Sequence, residues 1–129
     1  MGIRFIELQL TNFLPFKGEH VLAFGQESPV TIIHGENMTG KTSIFNALRL
    51  VWYGRAFDRH RVEITRPRLI NQDAAKDRDY TASVHLEFDV EGVNYQLKRQ
   101  IQAKNTSQQP VANNDFEEQL FLEEDRRNL

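Results

Sequence analysis

Gly35-Glu36-Asn37-Met38-Thr39-Gly40-Lys41-Thr42 is the stretch on which the reading of this chain turns. It fits G-x-x-x-x-G-K-(S/T), a glycine-framed loop that wraps phosphates. Such a loop must aim successive backbone N–H groups inward, and Gly35 and Gly40 permit the dihedrals and the close approach. Lys41 supplies a mobile positive charge for β- and γ-phosphates, and the Thr42 hydroxyl is a ligand for Mg2+. Ser43 offers one more donor to an α-phosphate. A random chain of this length would match the pattern at roughly one in a few hundred. The flanks lower that figure. Val30-Thr31-Ile32-Ile33-His34 before the loop is β-branched and nearly all apolar, as a strand covered on both faces is. After it, Ile44, Ala47, Leu48 and Val51 recur at i, i+3, i+4 and i+7, which predicts a helix over 41–53. Its N-terminal partial charge adds to the pull on phosphate, and Gly54 stands where a left-handed cap closes a helix.

Outward from the loop, period-2 patterns dominate. Ile6, Leu8 and Leu10 alternate with Glu7 and Gln9, which predicts a half-buried strand. Pro15 and Gly18 interrupt it, and residues 20–24 return as a second strand. Ala82, Val84, Leu86 and Phe88 alternate with polar neighbours, and Val93, Tyr95 and Leu97 repeat the pattern after Glu91-Gly92, so a hairpin is expected. Residues 55–79 read as arginine-rich and irregular with Pro67 as a breaker, 103–115 as a loop, and 119–122 as a last short strand. No internal repeat or low-complexity tract appears.

Composition sets the outer bounds. With 129 residues, 40% hydrophobic and 26% charged, and nine Phe, three Tyr and one Trp, the chain has apolar surface enough for a folded core. It has no cysteine, which excludes a disulfide scaffold, thiolate zinc and a cysteine nucleophile. No apolar run approaches the roughly 20 residues of a membrane helix, and the N-terminus lacks a signal peptide's apolar region. A cytoplasmic location and no membrane partner are expected. The net charge of −2 hides an uneven distribution. Residues 55–68 carry Arg55, Arg59, Arg61, Arg66 and Arg68 against only Asp58 and Glu63, whereas residues 81–129 are acidic.

Taken in order, Leu8, Leu10, Asn12 and Phe13, a hairpin, the phosphate loop, Ser43-Ile44-Phe45-Asn46-Ala47-Leu48 and Trp52-Tyr53-Gly54 resemble the N-terminal part of an ATPase head of the SMC, SbcC and RecF circle. The DNA-sulfur-modification protein DndD belongs to it too. The likeness extends over roughly residues 3–101, through Ala82-x-Val84-x-Leu86-x-Phe88 and Tyr95-Gln96-Leu97-Lys98-Arg99. It implies an α+β or α/β fold: a P-loop NTPase N-terminal lobe with a mixed sheet, one Walker A helix and an antiparallel β-subdomain. Residues 1–129 would form that lobe, truncated before a coiled coil. The implied cofactors are ATP and Mg2+, held by Gly35, Glu36, Asn37, Met38, Thr39, Gly40, Lys41, Thr42 and Ser43, with Lys41 as the catalytic group and Thr42 on the metal. The implied partners are DNA, the C-terminal half of the same head, and a second head in an ATP-sandwiched homodimer. No apolar run ends in Asp-Glu and no Ser-Gly-Gly occurs, so Walker B and signature residues would come from the C-terminal half. ATP hydrolysis is then expected of the intact protein and hardly any of this chain alone. Met38 departs from a common glycine, and Leu14 from a basic residue. The alternative is an assembly or scaffold module with a degenerate loop; a small autonomous NTPase is disfavoured by the missing Walker B aspartate.

Other features carry less. The arginines of 55–68 suit phosphate contacts on DNA or across a dimer, but equally a solvated loop paired with Asp58, Glu63 and Asp73. His20, His34, His60 and His85 show no metal-ligand spacing. Asn12 and Phe13 suit either a ribose contact or a turn. Phe45 and Trp52 are expected in the core, and Glu117, Glu118, Glu123, Glu124 and Asp125 on an exposed face.

Overall fold

The computed structural model describes residues 2–24, 38–58 and 60–125. Five strands run in these segments: β1 (Ile3–Phe13), β2 (Phe16–Ala23), β3 (Thr81–Val90), β4 (Val93–Ala103) and β5 (Phe116–Asp125). Helix α1 spans Met38–Tyr53, and two short helices follow, α2 (Arg66–Leu69) and α3 (Gln72–Lys76). A 3₁₀ turn at Asn113–Asp115 leads into β5. The strands form one sheet in the order β2-β1-β3-β4-β5, and every pairing is antiparallel.

This corrects the expected architecture. A mixed sheet with a separate antiparallel subdomain is not what the described residues form. β1 pairs with β2 on one side and with β3 on the other, so the N-terminal and central hairpins are one continuous sheet. Nor is there a single helix, since α2 and α3 occupy the segment read as irregular. Alternation identifies a strand and its buried face, but it does not say which strand lies beside it. The apolar run at 30–34, expected as a strand covered on both faces, lies outside the described residues.

Register explains the core. Leu8 lies opposite Leu86, Leu10 opposite Val84, Leu86 opposite Leu97 and Ala82 opposite Ile101, so one face of the sheet is a continuous apolar surface. These side chains are buried. The other face carries Gln9, His85, Glu87, Gln96 and Lys98, the two-faced pattern of an antiparallel sheet covered on one side. α1 covers the apolar face against β3 and β4 with Ile44, Ala47, Leu50 and Val51. Each fully buried Leu or Val of this layer contributes roughly 1.5–3 kcal/mol. Trp52 packs on Phe88 with ring centroids 5.0 Å apart, and Phe88 stacks on Tyr95 at 5.4 Å. Phe45, expected inside, is half exposed.

The helix ends as its sequence predicts. Gly54 has φ +78° and its N–H bonds the Leu50 carbonyl at 2.8 Å. Pro67 sits in the first turn of α2, where a missing N–H leaves nothing unbonded. β5 is longer than the expected 119–122 and stands at the sheet edge with both faces largely exposed. Leu120, Phe121 and Leu122 are consecutive, so no alternation marks the strand; ten backbone register pairs with β4 hold it.

Candidate functional site

The N-terminal half of α1 faces a cleft of about 430 Å³ lined by Leu14, Pro15, Ser43, Arg68, Ile70, Asn71, Gln72 and Asp73. That size lies within the range of small-ligand sites. Its wall is the β1–β2 turn stitched to α2 and α3. Leu14 N–H bonds the Leu69 carbonyl at 2.9 Å, and Asn71 N–H bonds the Asn12 carbonyl at 2.8 Å. The Asn71 side chain donates to the Leu14 carbonyl at 2.8 Å and accepts from Asp73 and Ala74 N–H at 3.1 Å, capping α3. Asn12 and Leu14 both take positive φ, 50° and 52°. Asn12 meets the cost by accepting from Gly18 N–H and donating to Asp79, so its side chain serves the turn rather than a ligand.

Of the residues expected to bind nucleotide, Gly35, Glu36 and Asn37 lie outside the described residues. Met38, Thr39, Gly40, Lys41 and Thr42 have a described backbone, helical from Met38 onward, but their side chains lie outside the description. Ser43 is fully described. It is buried, 4% exposed, and lines the cleft. The structure therefore brings the end of the motif to the cleft wall, together with Gln72 and Asp73, which the sequence had not marked as site residues. The donor set fits a nucleoside triphosphate with Mg2+: Lys41, Thr42 and Ser43 follow one another in the first turns of a 16-residue helix. Among the described residues no group of His, Asp or Glu could hold a metal alone.

The five arginines of 55–68 separate in space. Arg66 turns inward, bonding Glu118 at 2.6 Å and the Gly54 carbonyl at 3.4 Å, with Glu63 at 3.7 Å. Arg99 of β4 takes the other Glu118 oxygen at 2.5 Å. Burial pushes the Glu118 carboxyl up, but the Arg99 and Arg66 bonds outweigh it and hold the group below its ordinary value. Arg68 lines the first cleft, while Arg55 and Arg61 line a second with Arg49, Tyr53 and Phe57. Arg59 lies outside the described residues. Asp58, expected to pair with these arginines, accepts the backbone N–H groups of Val62 and His60; the Val62 bond is the main cause of its lowered pKa, burial opposes it, and the His60 bond and the charges of His60 and Arg68 lower it further. Asp73 faces Lys76 at 3.9 Å. The sequence treats these arginines as one patch because spacing along an irregular segment carries no facing information.

A family model described as an AAA domain matches residues 7–127, from β1 through β5 and across the whole motif. The chain belongs to the AAA domain family. No curated protein matches it. AAA domains are ATPase-type domains that bind ATP with Mg2+, which agrees with the phosphate-loop motif and is consistent with the SMC-like resemblance. No helix among the described residues is long and apolar enough to cross a membrane.

Proposed function

We propose that this AAA domain is the ATP-binding half of a DNA-associated, SMC-like ATPase acting in DNA repair, recombination, modification or phage defence. The observation that carries the reading is the run of the motif directly into α1, with Ser43 buried at the wall of a cleft. Residues 35–40 would offer backbone N–H groups, Lys41 its charge to the β- and γ-phosphates, and the Thr42 hydroxyl a ligand to Mg2+. Ser43 would donate from the cleft side. Bound ATP would supply the phosphoanhydride bond that the intact protein would cleave. The walls from Leu14 to Asp73 would receive the rest of the nucleotide. The C-terminal half of the same head would bring the Walker B acid, and a second head would close over the nucleotide. DNA is the expected partner of the assembled protein.

Isothermal titration of the chain with ATP and Mg2+, against Lys41→Ala, tests the reading. Binding in the micromolar range or weaker is expected, because on this reading the C-terminal half of the head would supply further contacts, and at least a tenfold loss in the variant. Equal affinity of both proteins, or no binding by either, favours the assembly-module alternative.

A further inference from the structure

The second cleft, at the C-terminal end of α1, is an open groove of about 580 Å³ lined by Arg49, Tyr53, Arg55, Phe57 and Arg61. Among the described residues it shares none with the cleft at Ser43. Among the described residues three arginines and two aromatic residues line it, and no acidic residue does. None of the three arginines makes a salt bridge among the described residues, whereas Arg4, Arg66 and Arg99 each have an acid within 3.0 Å. Tyr53 is 80% exposed although its neighbour Trp52 packs on Phe88. A tyrosine so bare, beside arginines with no salt bridge among the described residues, is a stacking surface within reach of positive charge.

The loop that carries half of this cleft is built firmly. Asn46, 2% exposed, donates to the Phe57 carbonyl at 2.8 Å and accepts from Phe57 N–H at 3.0 Å. Ile64 N–H bonds the Ala56 carbonyl, and Asp58 closes the turn on His60 and Val62. Arg61 is held at φ +65°, with its N–H on the Asp58 carbonyl at 2.9 Å. A non-glycine residue kept in the left-handed region by surrounding bonds is the kind of strain that ligand clamps hold. The arginines are thus presented by an ordered frame, which lowers the entropy lost on binding.

We propose that this cleft binds single-stranded nucleic acid, with phosphates on Arg49, Arg55 and Arg61 and an unpaired base on Tyr53. The inference rests on the nucleic-acid part of the proposed function and narrows it. Arginines alone would serve duplex and single strand alike. The rings decide between them: in a duplex the base faces are covered by their neighbours, and an accessible ring in a concave cleft finds no partner there.

The test is fluorescence anisotropy of the full chain with a labelled oligo-dT of about 15 nucleotides, a length covering the site size of single-strand binders. A duplex of equal length and unlabelled AMP as competitor form the other arms. Single strand should bind more tightly than duplex, and AMP should compete weakly. Tyr53→Ala should weaken oligo-dT binding roughly tenfold, while Tyr53→Phe keeps it within about twofold. Reversing Arg49, Arg55 and Arg61 to Glu should flatten the log-affinity against log-salt slope by about 2 for three lost phosphate contacts. Circular dichroism checks that each variant is folded; Tyr53 is exposed enough that its loss leaves the core intact. Oligo-dT binding indifferent to Tyr53→Ala overturns the inference. Arginine-dependent binding that prefers duplex overturns it while leaving DNA association standing. AMP binding without oligomer binding replaces it with a free-nucleotide site, and no binding of any nucleic acid by the chain overturns the inference while leaving DNA association of the assembled protein standing.

Discussion

Replacing Glu118 by Gln takes the shared counter-charge from two guanidinium groups that are mostly buried. The side chains of Arg66 and Arg99 are 17% and 13% exposed, and that of Glu118 is 25% exposed. Arg99 Nε is already buried without a hydrogen-bond partner, so this arginine depends on its Nη1 bond to Glu118. Removing one partner of a fully buried pair costs about 3–5 kcal/mol, and an exposed pair is worth under about 1 kcal/mol. At this intermediate exposure the loss should be about 2–3 kcal/mol, near what two weakened charge-assisted bonds would give. For a domain of this size that lowers Tm by roughly 6–12 °C. The pH dependence separates charge from packing. Because the folded Glu118 carboxyl titrates below its ordinary value, its stabilisation is complete above the unfolded pKa of about 4.3 and is lost as pH falls through the folded one. Thermal melts followed by circular dichroism at pH 7 and pH 3 should show a wide gap between wild type and variant that narrows in acid. A variant melting within about 2 °C of wild type at pH 7, or a gap unchanged in acid, would show that Glu118 is not a buried counter-charge for the two arginines.

Three further substitutions probe the same frame. Gly54→Ala forces a β-carbon to 3.0 Å from Arg99 Nη1 at φ +78°, and urea unfolding should show about 1–2 kcal/mol lost. Asn46→Ala deletes both bonds to Phe57; about 2–3 kcal/mol should go, and hydrogen exchange at the Phe57 amide should rise well above that of β3 amides. Leu50→Ala, at the α1–sheet contact, should cost about 2–5 kcal/mol by denaturant titration, with unfolding still cooperative.

The strands and the main helix were legible because burial imposes a period. Leu8, Leu10, Val84 and Leu86 alternate since one sheet face is covered, and Ile44, Ala47 and Val51 recur since one helix face is. Pairing was not legible. β1 joins β3 across nearly seventy intervening residues, and nothing local to either strand encodes that. β5 was seen only in part because neither face is buried, so its stability lies in backbone bonds and in Glu118. At the site, the phosphate-loop motif was plain from spacing alone, whereas Gln72 and Asp73 approach Ser43 only through the fold. Arg49 and Tyr53 could have been found: with Phe45 they recur every four residues on α1, a second stripe beside the apolar one.

What the sequence reads as an irregular stretch from 55 to 79 is ordered chiefly by asparagines. Among the described residues the buried polar ones are Asn12, Ser43, Asn46 and Asn71. Asn46 and Asn71 hydrogen-bond backbone groups of other segments, whereas the Asn12 side chain joins the Gly18 N–H to the Asp79 carboxylate. Asn12 and Asn71 lock the β1–β2 turn to α2 and α3, which makes the wall of the first cleft. Asn46 locks residues 56–58 to α1, which makes the frame of the second. An amide carries both a donor and an acceptor on a short side chain, so one residue can satisfy a carbonyl and an N–H of a loop that has no ladder of its own. An apolar residue of similar volume at any of the three would keep the packing but orphan loop backbone groups, each costing about 1–3 kcal/mol. Helix α1 therefore does two jobs with two faces. Its apolar stripe holds the sheet, and its polar positions, Ser43 at one end and Asn46 further along, meet the loops that surround both clefts.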